Sequence, residues 1–145
     1  MKKIILACAL LYCVNSFAQN VDCDNLIGSW HNQRRSTLAI ASINSTTGQI
    51  SGSYTILNAA GKKETFPLTG YAHTKVPGTD GISTVIDFCV SFPNYNSMTA
   101  WSGYCSSPKG VPTIHTIWHL VSAKANAPYN HITTDVDDFT PGAAQ

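Results

Sequence analysis

Two stretches of the 145-residue chain place hydroxyls and indoles on the same side of an extended backbone. Successive strand side chains point to opposite faces, so in 96–105 the odd positions Ser97, Thr99, Trp101 and Gly103 share one face. In 116–120, Thr116, Trp118 and Leu120 do the same. A water-facing surface does not usually carry two tryptophans, and a dry core does not usually carry rows of Ser and Thr. The mixture suits a pocket with apolar walls and a few placed polar groups. A core that buries satisfied hydroxyls is the plainer alternative.

The other residues able to do chemistry do not assemble into a catalytic or metal centre. His115 and His119 have the i, i+4 spacing of a helical metal pair, but on a strand that spacing is about 13 Å, too far to share an ion. Asp137 and Asp138 point to opposite faces of a strand. There is no Ser-His-Asp order with a nucleophile elbow and no glycine-rich phosphate loop. Arg34-Arg35 sits in a short polar segment and reads as a solvated turn, with a role near the ligand as the minor reading.

These residues must be positioned by one domain. Hydrophobic residues make up 43% of the chain and charged ones 12%, a composition that excludes disordered, collagenous and coiled-coil classes. Nine basic residues against eight acidic ones leave no positive surplus for phosphates, so nucleic acid is not an expected partner. Lys2 and Lys3 precede an apolar run from Ile4 to Val14, followed by Ser16 and Ala18. That pattern predicts a secretory signal peptide over 1–18 and a single domain over 19–145. The run is shorter than the roughly twenty residues a spanning helix needs, so no membrane anchor is expected. The mature protein is then secreted, extracellular or periplasmic, in an oxidising compartment. It keeps Cys23, Cys89 and Cys105, which permit one bridge and leave one thiol.

Alternation of apolar and polar residues recurs in eight segments: 27–32, 36–43, 49–56, 64–73, 82–91, 96–105, 112–122 and 131–139. Gly, Pro or Asn punctuates the intervals between them. Hairpin-length loops imply sequential antiparallel pairing. The expected fold is therefore all-β, an eight-stranded antiparallel up-and-down β-barrel, which removes exposed edges and encloses room for one small ligand. On the last two strands Ile117, Val121 and Val136 alternate with the pocket residues and face outward, so a homo-oligomer that covers them is expected.

The segment Gly28-Ser29-Trp30-His31-Asn32-Gln33-Arg34-Arg35-Ser36-Thr37 resembles the first hairpin of the avidin and streptavidin family. Thr47-Gly48-Gln49-Ile50-Ser51-Gly52-Ser53-Tyr54 resembles its third strand, and Pro67-Leu68-Thr69-Gly70 its fourth. Thr99-Ala100-Trp101-Ser102-Gly103 resembles the sixth, Ile117-Trp118-His119-Leu120-Val121-Ser122 the seventh, and Asp137-Asp138-Phe139-Thr140 the end of the last. The likeness runs in family order from Leu26 to Thr140. Trp30 reads as a plug at the barrel base.

The resemblance implies a non-enzymatic biotin-binding protein that sequesters the vitamin, with no cofactor. It implies that Asn32, Ser36 and Tyr54 converge on the ureido oxygen and that Asp137 accepts a ureido N–H. Thr99 meets the thioether ring, and Phe88, Trp101, Trp118 and Leu120 form the apolar cage. Ser97, with backbone amides around Asn58 and Ala60, meets the carboxylate. Tyr129 matches the residue that closes a neighbouring subunit's site, which favours a tetramer over a dimer. The spacing of Cys23 and Cys105 from Trp30 and Trp101 resembles the one bridge of avidin, leaving Cys89 reduced and outward. Four positions depart from the family: Ile56 replaces a hydroxyl for the second ureido N–H, Phe88 a tryptophan, Tyr129 the lid tryptophan, and Asp135 a small residue. Asp135 stands on the same face as Asp137, and two carboxylates there are expected to repel, one of them protonated or turned to water. The runner-up function is a lipocalin-like carrier of another small apolar ligand.

Overall fold

The computed structural model describes residues 21–74, 84–124 and 130–142. The expected signal peptide, Ile82 and Tyr129 lie outside them. Eight strands follow in chain order: β1 (Gly28–Asn32), β2 (Thr37–Ile43), β3 (Gln49–Leu57), β4 (Lys63–Thr74), β5 (Thr84–Phe92), β6 (Ser97–Ser106), β7 (Thr113–Ser122) and β8 (Ile132–Pro141). Each pairs antiparallel with its neighbours in sequence, and β8 returns to β1 through Trp30–Pro141, His31–Thr140 and Asn32–Phe139, closing the barrel. The all-β up-and-down expectation holds. The strand ends differ by a few residues where turns intervene: Ser36 belongs to the β1–β2 turn, because Arg35 adopts a left-handed φ of 65° there.

Alternation is the reason the segments form a barrel wall. In β5 every second residue from Thr84 to Phe92 is buried and the intervening ones are exposed. In β4, Phe66, Leu68, Gly70 and Ala72 turn inward in the same way. The β2–β3 register slips by one residue between Ile40 and Ser42. At that bulge the two backbones approach so closely that a Cβ on Gly52 would lie 2.0 Å from the Ala39 carbonyl oxygen, which only glycine permits.

The closed end of the barrel is a dry core. Trp30 is fully buried and its indole N–H donates to the Leu26 carbonyl at 2.9 Å. Leu26, Leu38, Ile40, Ile50, Ile114 and Phe139 surround it. Cys23 and Cys105 form a disulfide across 82 residues of sequence, tying the N-terminal segment to β6. A loop of that length contributes about 4 kcal/mol through lost unfolded-state entropy in the chain-entropy model. The Thr84 hydroxyl donates to the Cys23 carbonyl at 2.6 Å, which fixes the same segment to β5. Cys89 is free and exposed on the outer face.

Up-and-down order places the β1–β2, β3–β4, β5–β6 and β7–β8 connections at the other end. That end is open and holds the cavity.

Candidate functional site: a cup at the open end of the barrel

The cavity has a volume of about 440 Å³, within the range of small-molecule pockets. Its walls include Tyr54, Ser97, Thr99, Trp101, Trp118, Leu120 and Asp137, seven of the residues that the sequence points to. They come from β3, β6, β7 and β8, brought together by parity and register: Trp101 pairs with Trp118 and Thr99 with Leu120, while Thr116 and Trp118 face Asp137 and Asp135.

Asn32 and Ser36 are buried at one side, where the tight β1–β2 turn orients them. The Asn32 Oδ1 accepts the backbone N–H of Arg34 at 3.1 Å and of Ser36 at 2.8 Å. Those two bonds fix the amide, so its NH2 group faces away from the turn and donates to the Tyr54 hydroxyl oxygen at 3.4 Å. Ser36 hydrogen-bonds the same phenol. Burial pushes the Tyr54 phenol up to about 12, an effect larger than the opposing hydrogen bond from Ser36. It therefore remains a neutral O–H donor at physiological pH. Asn32 and Ser36 are thus tied to the Tyr54 phenol, which lines the cavity, while neither of those two is itself part of the wall.

Asp137 is 2% exposed and supplies the opposite polarity. Its Oδ1 accepts from Gln33 Nε2 at 3.2 Å and Arg34 Nε at 3.0 Å, and its Oδ2 accepts the Trp101 indole N–H at 3.1 Å. Each carboxylate oxygen has two lone pairs, so Oδ2 keeps one for a ligand N–H.

Arg34 bears on two expectations. It is a half-exposed residue of the β1–β2 turn, as expected, but it also lines the cavity, bridges Asp137 and Asp135, and lies 5.5 Å over the Trp118 ring. The expected repulsion between Asp135 and Asp137 is also removed, because the guanidinium sits between them. The Val136 backbone N–H and the Arg34 guanidinium hold the Asp135 carboxyl below the usual carboxylate range. Asp135 is half-exposed and ionised rather than protonated.

Besides Asn32 and Ser36, three further expected site residues lie outside the cavity wall. Phe88 lies behind Trp101, stacked on it at 4.8 Å with an interplanar angle of 10°, so it props the indole instead of contacting the cavity. Asn58 and Ala60 lie in the β3–β4 loop beside the mouth, and neither is part of the wall. The Asn58 Oδ1 accepts the N–H groups of Ala60 and Lys62. Ile56 does line the cavity, two residues beyond Tyr54 and on the same face. Neither neighbour supplies the acceptor: Thr55 faces outward and bonds Thr65 at 2.9 Å, and the Asn58 Oδ1 is taken by the N–H groups of Ala60 and Lys62.

Three wall residues escaped the sequence reading, Phe92, Tyr95 and Ser122, and Arg34 entered it only as the minor reading. Parity along β5 and β7 could have found Phe92 and Ser122, which continue the inward series of Phe88 and Leu120. Tyr95 sits in the short 3-10 turn Pro93–Tyr95, where no periodicity signals direction. His115 and His119 are separated on the outer face, where they bond Asp138 and Thr134 respectively. No group of three potential ligands able to hold a metal ion occurs among the described residues.

The geometry can be set beside known proteins. The family model described as the Avidin family matches residues 20–142. Among solved structures, core-bradavidin is 36% identical, with a TM-score of 0.61 over 77% of this chain and 96% of that one. The biotin complex of a shwanavidin variant is 33% identical, with a TM-score of 0.59 over 80% of this chain and 96% of that one. A biotin-binding protein from chicken is 25% identical, with a TM-score of 0.65 over 83% of this chain and 98% of that one. No match was found among curated protein sequences. With a family match across nearly all of the described barrel and a cup at its open end, this chain belongs to the avidin family.

Proposed function

We propose that this protein binds biotin, one molecule per chain, in the cup at the open end of the barrel. The observation that carries the reading is the pairing of a donor cluster with a buried acceptor. Asn32 and Ser36 bond the Tyr54 phenol, which faces the cavity, and Asp137 in the same wall keeps an unused lone pair. A ureido group needs that pattern, three donors for its oxygen and an acceptor for an N–H. Donors that converge on one carbonyl polarise it, and each bond strengthens in a dry pocket. Trp101, Trp118 and Leu120 supply apolar walls for the fused rings, Thr99 meets the sulfur ring, and Ser97 meets the tail. A carrier of purely apolar ligands has no use for a buried carboxylate and three converging donors, so the lipocalin-like alternative fits this cup less well.

The cup holds its ligand without turning it over, and the protein acts outside the cell by sequestering the vitamin. Support comes from the leader pattern of residues 1–18 and from the disulfide, which suits an oxidising compartment. Assembly into a homotetramer is supported by the apolar outer face of β6 to β8 together with the family resemblance. Ile117 pairs with Val136, Met98 with Val121, and Val121 with Ile132. All five are exposed by between 44% and 64%, as one apolar patch. Such a patch calls for a partner surface, and in a tetramer Tyr129 closes a neighbouring cup. The test is the variant carrying Asn32→Ala and Ser36→Ala together, which removes two of the three oxygen donors. Biotin binding should fall by at least about a hundredfold, because hydrogen bonds to a polarised carbonyl contribute about 1.5 to 3 kcal/mol each. Unchanged binding would place the site elsewhere.

A further inference from the structure

The seam between β1 and β8 is not closed by backbone all the way to the mouth of the cup. Strand β8 pairs with β1 through Phe139, Thr140 and Pro141, whereas the preceding residues from Ile132 to Asp138 pair with β7 and have no β1 partner. Side chains of the β1–β2 turn fill that side instead. The Gln33 amide donates to the Val136 carbonyl at 3.1 Å, and its oxygen accepts the Asp138 N–H at 3.2 Å. A side chain thus continues the ladder where the strand has ended. Closer to the mouth, Arg34 reaches Asp137 through Nε at 3.0 Å and Asp135 through Nη2.

At this seam Arg34 separates the ligand's space from solvent. Its guanidinium lines the cavity and lies 5.5 Å over the Trp118 ring, while its side chain is about half-exposed on the other side. Asp135 is the outer anchor. It stands in register with Trp118 on β7, its Oδ1 accepts the Val136 N–H at 2.8 Å, and it is not part of the cavity wall. A guanidinium is a rigid plane, and one held by two carboxylates keeps a fixed orientation that a free surface arginine lacks.

We infer that Arg34, anchored by Asp135, is a strap across the β1–β8 seam that slows the ligand's passage into and out of the cup, supplied by the same chain that binds it. This rests on the biotin reading above and adds the residues that set the rate of exchange. Asp135 acts through Arg34 and is a positioning residue, so its removal matters only while Arg34 is present. The test is a double-mutant cycle on the full-length mature chain, read as the association and dissociation rates of biotin. Asp135→Ala should speed release about threefold to fivefold, the range of a half-exposed charge pair. A strap is a barrier in both directions, so entry should speed as well and the dissociation constant should stay within about twofold. Loosening of the site alone would instead raise the dissociation constant by the full factor. In an Arg34→Leu background, Asp135→Ala should change either rate by less than about 1.5-fold. Raising the salt should speed both rates on the unaltered protein with uncharged biotin methyl ester, because the half-exposed pair is screened; this keeps the test open if a variant does not fold. Faster release without faster entry, an equal effect of Asp135→Ala in both backgrounds, or rates that respond to neither the substitution nor salt overturns the inference. Failure of the unaltered protein to bind biotin would instead refute the biotin reading itself.

Discussion

Ile56→Ser should tighten biotin binding, against the usual cost of cutting a cavity wall. In the proposed biotin pose Ile56 faces the second ureido N–H, and neither neighbour is placed to accept it: the Thr55 hydroxyl bonds Thr65 on the outer face, and the Asn58 Oδ1 already accepts the N–H groups of Ala60 and Lys62. A buried N–H without a partner costs about 1 to 3 kcal/mol. Replacing isoleucine by serine forfeits apolar contact worth about 1 kcal/mol, at roughly 25 cal/mol per Å² over some 40 Å². The difference leaves a net gain of up to about 2 kcal/mol, which corresponds to a dissociation constant lower by up to about thirtyfold. Competition binding and the dissociation rate of labelled biotin would measure it, with Ile56→Ala as the control that shrinks the side chain without supplying a hydroxyl. If serine weakens binding as much as alanine does, the ureido group is not where Tyr54 and Ile56 place it.

Arg34→Ala should leave Asp135 and Asp137 facing each other without a bridge; with Arg34 half-exposed, about 1 to 2 kcal/mol of stability is lost. Thermal unfolding of the unliganded chain should show a Tm lower by about 5 °C, and an unchanged Tm would deny the bridge its role. The raised Tyr54 phenol sets an alkaline limit: ionisation comes near 10 in the unfolded chain but about 12 in the folded one. Stability from Tyr54 is therefore complete below pH 10 and is lost, by about 2 to 3 kcal/mol, as the pH rises toward 12. Tyr54→Phe should flatten that part of the stability profile, as read by denaturant titration at each pH. Sedimentation at submicromolar protein should give a mass near four chains, Val136→Lys should reduce it, and Tyr129→Ala should speed biotin release without altering the ureido contacts. A monomer that retains slow release would refute both the interface and the borrowed lid.

The barrel was legible because its strands obey a period of two with few exceptions, β5 most cleanly, and because Gly, Pro and Asn mark the turns. The same parity carried Ser97, Thr99, Trp101, Trp118 and Leu120 to the cavity wall. What could not be read lies where side-chain direction is not set by parity. Arg34 lies in a turn whose geometry depends on two bonds to Asn32, and its reach to Asp135 and Asp137 spans more than a hundred residues of sequence. Phe88 has inward parity, but stacking on Trp101 places it in a second layer. The Asn58 loop has the polar composition of an anion site, yet its amides close on one another, a matter of loop conformation that composition does not express.

The central claim is most directly tested by calorimetric titration of the purified mature protein with biotin, read together with tryptophan fluorescence. One site per chain should appear, with strong heat release from the ureido hydrogen bonds and a fluorescence change from Trp101 and Trp118 in the cavity wall. No heat and no fluorescence change at micromolar protein would contradict it.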